Sequence, residues 1–202
     1  LDALTEETDL LFLANPNNPT GRLLDTEYLE KILQRCRKTD TVVVLDECFL
    51  DFCGQGKSML SRLTEYENLL VVRLGYLAGA PQLVARIRRH LPEWNLSVFA
   101  QEAGIACAGQ TEYAKRTAAF VREERTLMEE RLRALGIRVF PGEANFLLLF
   151  SECPLYERLL QKKILIRDCA NFRGLTKGYY RVAVRGREEN ERLWKAIGDC
   201  IG

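Results

Sequence analysis

Asp46 ends the apolar run in "VVVLDE", and Asn18 lies in "NPNNPTG", directly after "LLFLA". A carboxylate at the rim of a buried strand needs a partner, because a charge taken out of water is costly unless matched. Taken alone, a helix cap or an ion pair is the plainer reading of Asp46. Ligands of doubly wound sheets, however, bind beyond the carboxyl ends of the strands, where both residues fall. The loop from Asn15 to Gly21 holds three asparagines and two prolines, stiffer and richer in amides than a corner requires. Further on, Arg167 in "IRDCANF" and Arg181 in "YYRVAV" stand on successive expected strands. A guanidinium forms bidentate pairs with carboxylate or phosphate, so each is an anion-site candidate, with a surface ion pair as the alternative.

Other reactive side chains read as structural. Lys57 in "GQGKS" imitates the end of a phosphate loop, but Asp51 occupies the place of that loop's first glycine. The single histidine, His90, reads as a helix-end residue. Seven cysteines without a CxxC pair point to core thiols in a reducing cytoplasm and against a zinc site or disulfide framework. With 29 basic and 28 acidic residues, net +1, there is no basic excess for a nucleic-acid backbone. No apolar run has the length of a membrane span, and no signal-like start is seen.

The elements that must position these groups alternate. "DLLFLAN" reads as a buried strand. "DTEYLEKILQRCRK" is an amphipathic helix with Asp25 as N-cap and Leu29, Ile32, Leu33 and Cys36 on one face. "TVVVLDE" is a strand buried on both faces, and "NLLVV" and "LGYLAGA" are strand-like. Three helices follow, one opening at Pro81 and the longest closing at Gly136; its run "REERTLMEERLR" reads as a solvated face with ion pairs four apart. Beyond Gly136, strands and helices alternate in a smaller α+β unit. The expected organisation is residues 1–135 as part of a larger α/β domain with its linking helix, and 136–202 as a small C-terminal domain.

Together, "NPNNPTG" and "VVVLDECFLDF" resemble the pyridoxal-phosphate enzymes of the aspartate aminotransferase superfamily. Within it, the chain is similar to the branch of threonine-phosphate decarboxylases and histidinol-phosphate aminotransferases. The likeness runs on through "RLGYLAGA", "PEWNLSVFAQ", "ANFLLLF" and "ILIRDCANFRGLTKGYYRVAVRGREENERL". It implies the fold type I of those transferases: a mostly parallel sheet in the large domain, plus the α+β small domain. It further implies pyridoxal 5'-phosphate as cofactor, with Asp46 facing the pyridine nitrogen as the catalytic carboxylate, Asn18 donating to the ring's 3-oxygen, and Arg73 at the cofactor phosphate. Arg181 matches the arginine that grips the substrate carboxylate, Arg167 a second arginine of the phosphorylated-substrate branch, and Asn171 helps to shape the pocket.

The resemblance also implies a small phosphorylated amino-acid substrate and a homodimer. Phe49 stands where aminotransferases of the family usually carry tyrosine in "DEAY", which shifts the reading toward threonine-phosphate decarboxylation, a step of cobalamin biosynthesis. Histidinol-phosphate aminotransferase is the alternative, and a non-catalytic anion-binding protein the second. The family's cofactor-bearing lysine and its flanking segment are absent between Val72 and Leu74, as is the N-terminal part with the glycine-rich phosphate cradle. Loss of a crossover should damage a packed sheet, so the preferred expectation is a longer protein of which this is an ordered subset; a genuine deletion is the other.

Overall fold

The computed structural model describes residues 4–54 and 56–202. The "GQGK" stretch weighed as a phosphate loop includes Gln55, outside those residues. Two compact units divide the chain. One comprises the residues up to Asn15 with Leu24–Arg116, the other Pro16–Leu23 with Thr117–Gly202.

In the first unit, β1 (Leu10–Ala14), β2 (Val42–Asp46) and β3 (Leu69–Arg73) are parallel, and β4 (Tyr76–Gly79) is antiparallel to β3, in the order β1-β2-β3-β4. Helix α1 (Thr26–Lys38) links β1 to β2 and buries Leu29, Ile32, Leu33 and Cys36, the face expected from their spacing. They pack in one core with Val43, Leu45, Leu69 and Val71. Asp25 is the N-cap, but its side chain makes no capping bond; its carbonyl accepts the N–H groups of Tyr28 and Leu29 at 3.0 Å. The sheet is less enclosed than its β-branched runs suggest. Leu10 and Phe12, alternate residues on one face of β1, are 53% and 72% exposed, and in β2 buried residues alternate with half-buried ones. The apolar runs set strand identity without setting burial on both faces.

Where the family segment is absent, β3 turns straight back into β4. Arg73 pairs with Tyr76 in register, leaving Leu74 and Gly75 as a two-residue loop, and Gly75 takes the positive φ of 97° such a tight hairpin demands. Helix α2 (Pro81–Arg88) begins at its proline. Helix α3 (Val98–Ala108) is capped by Ser97, whose hydroxyl accepts the Ala100 N–H at 3.2 Å, and no residue of it is buried. Cys107 on that helix is exposed, contrary to the core expectation, whereas Cys36, Cys169 and Cys200 are buried; none of the seven is in a disulfide.

The long helix α4 (Thr111–Ala134) runs into β5 (Arg138–Phe140), with Gly136 at φ 78° ending it as expected. The second unit's sheet has the order β5-β6-β8-β7, with β6 (Phe146–Phe150), β7 (Arg167–Asp168) and β8 (Tyr179–Ala183), every pairing antiparallel. Helices α5 (Leu155–Gln161) and α6 (Arg187–Ile201) complete it. Met128, Leu132, Leu147, Leu149, Leu155, Leu159 and Ile197 are fully buried there.

The charge run of α4 is not wholly a solvated face. Arg133 does pair with Glu129 at 2.8 Å, but Glu124 is 1% exposed. It accepts from Arg187 Nε at 2.7 Å and Asn190 Nδ2 at 2.9 Å. Asn190 Oδ1 in turn accepts the Arg185 N–H at 2.9 Å, so one buried carboxylate ties α4 to the exit of β8 and the start of α6. The Arg187 bond holds the Glu124 carboxyl below its ordinary value, against the opposing effect of burial. A depressed carboxyl stabilises the fold above its unfolded value, about 4.3, and the contribution is lost as pH falls through the lower folded value. Glu124→Gln should therefore lower the thermal midpoint by several degrees at neutral pH, and that gap should close in the acid limb of a pH series read by circular dichroism.

Candidate active site

In the first unit, β2 ends at Asp46. The Asp46 carbonyl accepts the Asn15 N–H at 2.8 Å, and the next N–H, of Glu47, donates to Val72 O at 2.8 Å, so the backbone around Asp46 is pinned from both neighbouring strands. Its side chain is exposed, with Oδ1 accepting the Cys48 N–H at 2.9 Å. Burial pushes the Cys48 thiol up to about 11, helped by its bond to Asp46.

Glu47 points the other way and is fully buried. It accepts from Ser58 Oγ at 2.5 Å, the Met59 N–H at 2.8 Å and Arg73 Nη1 at 3.3 Å. Arg73 also bonds Asp51. Burial opposes the charge on Arg73, but Asp51 outweighs it and holds the guanidinium above its ordinary value. Phe49 precedes the short 3-10 turn Leu50–Cys53 and is half-buried; its ring carries no hydroxyl.

The second unit holds the asparagine loop and the strand pair β7 and β8. Gly21 N–H donates to Asn17 O at 2.7 Å and Asn17 N–H to Arg22 O at 2.9 Å, while Thr20 Oγ1 bonds Asn17 Oδ1 at 2.9 Å. Asn15 Oδ1, in the first unit, takes the Leu24 N–H at 2.8 Å. Two of the three asparagines thus fasten the turn. The third, Asn18, precedes a cis proline, and its Oδ1 accepts Arg181 Nη1 at 2.5 Å. With that oxygen taken, the amide nitrogen of Asn18 is the end left to donate. Glu143 N–H donates to Gly21 O at 2.7 Å, and Arg125 holds that segment by donating to Glu143 O at 2.6 Å and Ala144 O at 3.1 Å.

Arg167 and Arg181 are direct cross-strand partners. Like charges directly opposite one another destabilise a sheet, and among the described residues neither has a carboxylate within ion-pair distance. Arg181 stacks over Phe146 at 5.0 Å and Arg167 over Phe172 at 5.6 Å, while Arg167 Nη2 donates to Asn171 Oδ1 at 3.0 Å. The pair is a cationic seat without a resident counterion. Sequence reasoning had singled out these two arginines, Asn171 and Asn18 as candidates. It missed Glu47, Glu124 and the Gly21–Glu143 docking, although the adjacency of Glu47 to Asp46 carried a signal, since neighbouring strand residues face opposite sides.

The family described as aminotransferase class I and II matches residues 1–197. The threonine-phosphate decarboxylase of Salmonella typhimurium is 37% identical to this chain, covering all of it and 60% of the relative. The histidinol-phosphate aminotransferase of Methanothermobacter thermautotrophicus is 32% identical, covering all of the chain and 58% of the relative. The chain therefore spans about three fifths of the length of these relatives. Their alignments extend over 218 and 220 residues, more than the 202 present, so within the shared span the relatives have residues this chain lacks. Among solved structures, the histidinol-phosphate aminotransferase of Clostridium acetobutylicum superposes with a TM-score of 0.90 at 28% identity, over 96% of this chain and 64% of that one.

The seating of the asparagine loop is open to a steric test. A Cβ at Gly142 would lie 2.6 Å from Thr20 O and 3.2 Å from Gly21, both backbone, so Gly142→Ala forces the two segments apart. Its expected cost is about 1–3 kcal/mol, as for overpacking in general, read from the denaturant midpoint.

Proposed function

The chain belongs to the class I and II aminotransferase family, and on that premise we propose that it supplies the ring-orienting and substrate-anion residues of a pyridoxal-phosphate enzyme. Its substrate is a small amine carrying a phosphate ester. Pyridoxal 5'-phosphate is the family's cofactor, and when bound it supplies an electron sink for a bond broken at the substrate's α-carbon. The residues present suit it. Asp46, exposed at its strand end, is the carboxylate that keeps a proton on the ring nitrogen. Asn18, its oxygen occupied by Arg181, has the amide donor for the 3-oxygen. In this reading the first unit is part of the large domain, and the residues after α4 form the small one. The family's lysine has no counterpart in the tight hairpin Arg73–Tyr76, so the chain's own contribution is binding and orientation.

The observation that carries the substrate class is the abreast pair Arg167 and Arg181 without a carboxylate. Two forked donors side by side suit one phosphate dianion. Histidinol phosphate has a single anionic group, and we infer it as the leading substrate, with transamination as the reaction. The fold likeness to the Clostridium enzyme supports this order. Threonine-phosphate decarboxylation is the second reading, favoured by Phe49 and by the Salmonella relative. There the two arginines would divide a phosphate and a carboxylate between them, and Asn171 would steer Arg167. Breaking the carboxylate bond needs no general base, whereas transamination must move a proton. Thiols outside any disulfide suit a cytoplasmic protein, and the all-round apolar α3 without a buried residue suits a homodimer.

Equilibrium dialysis of the chain against histidinol phosphate, O-phosphothreonine and unphosphorylated histidinol tests the reading. The expected result is retention of histidinol phosphate over the other two. Arg167→Gln and Arg181→Gln should each weaken it by about 2 kcal/mol, the scale of a charged hydrogen bond. Preference for O-phosphothreonine would reverse the order, and equal retention of histidinol would remove the phosphate seat altogether.

A further inference from the structure

The turn after β2 has to hold an outward carboxylate, Asp46, beside an inward one, Glu47. Arg73 reaches both ends of that turn from the last position of β3. Its guanidinium bonds Glu47 at 3.3 Å and also Asp51, four residues further along, in the 3-10 segment Leu50–Cys53. The Arg73 side chain is only 11% exposed and that of Glu47 has no exposure. A guanidinium engaged by two carboxylates has little capacity left for an added anion, and a single planar fork is the group able to bridge both. The rest of the turn is held by the Leu50 N–H on Glu47 O at 2.9 Å and the Cys48 N–H on Asp46 Oδ1.

We infer that Arg73 is a positioning residue that fixes the Asp46–Cys48 turn by bridging Glu47 and Asp51, and that it does not bind the cofactor phosphate. Its purpose, presenting Asp46, rests on the proposed function; the clamp itself does not.

Cys48 is a built-in reporter, because its N–H is tied to Asp46 and burial keeps its thiol from ionising at neutral pH. Alkylation by iodoacetamide at pH 8, followed for each cysteine by peptide mass spectrometry, should be slow at Cys48 and fast at the exposed Cys107. Arg73→Gln should accelerate Cys48 on the order of tenfold or more as the turn opens to the reagent, a gain that has to exceed the slowing from losing the guanidinium charge, which itself lowers the Cys48 thiol. The buried Cys36 should stay protected and Cys107 unchanged, which separates local release from unfolding. Asp51→Asn should move Cys48 the same way by less. Arg73→Lys should fail to restore the slow rate, since an ammonium does not fork. The inference is overturned if Arg73→Gln leaves Cys48 at its wild-type rate. It is also overturned if Asp51→Asn, by freeing Arg73, tightens the binding of inorganic phosphate without affecting Cys48. Should Arg73→Gln not fold, Asp51→Asn decides alone, because Asp51 is an exposed residue. No arm needs cofactor, so the clamp and the proposed function can fail separately.

Discussion

A carboxylate without solvent contact must be met by donors, and the first unit is organised around that requirement at Glu47. A hydroxyl, a main-chain N–H and a guanidinium converge on it. Removing one of them would leave a buried charge under-matched, a far larger penalty than any gain from the pair itself. Since adjacent strand residues face opposite ways, sinking Glu47 obliges Asp46 to stand outward. The orientation of Asp46, the carboxylate proposed to meet the cofactor ring, is thus a by-product of satisfying Glu47.

The second unit meets the opposite problem. Its edge strand β7 and the neighbouring β8 bring two guanidinium groups side by side, met among the described residues by Asn18, Asn171 and two aromatic rings and by no carboxylate. A fold selected for stability alone would place a carboxylate there. An open pair of this kind is what the proposed anion seat requires, and the relatives here act, by name, on phosphorylated compounds.

Much of this was legible beforehand. The alternation of strands and helices, the amphipathic face of α1 and the glycine stop of α4 followed from local pattern, while Asn18, Asp46, Arg167 and Arg181 came as candidates from motif and resemblance. What escaped had a common cause: its meaning lies in contacts remote in sequence. Glu124 looks like any member of a charged helical run until Arg187 and Asn190 arrive from α6. Gly142 is unremarked until a carbonyl 2.6 Å from its missing Cβ makes every larger residue too large. Arg73 was placed at the cofactor phosphate by resemblance, and its bonds to Glu47 and Asp51 across the turn could not be read from that motif. Exposure of Leu10 and Phe12 was likewise invisible, because apolarity of a strand records what it tolerates as cover and not whether cover is present.

The segment Pro16–Leu23 leaves a strand of the first unit yet belongs by its contacts to the second, moored by the Gly21–Glu143 bond and the glycine-to-glycine approach. Asn18 and Arg181 are consequently mounted on the same chassis. Their spacing is a gauge set within one unit, by the strand β8 and the moored turn together.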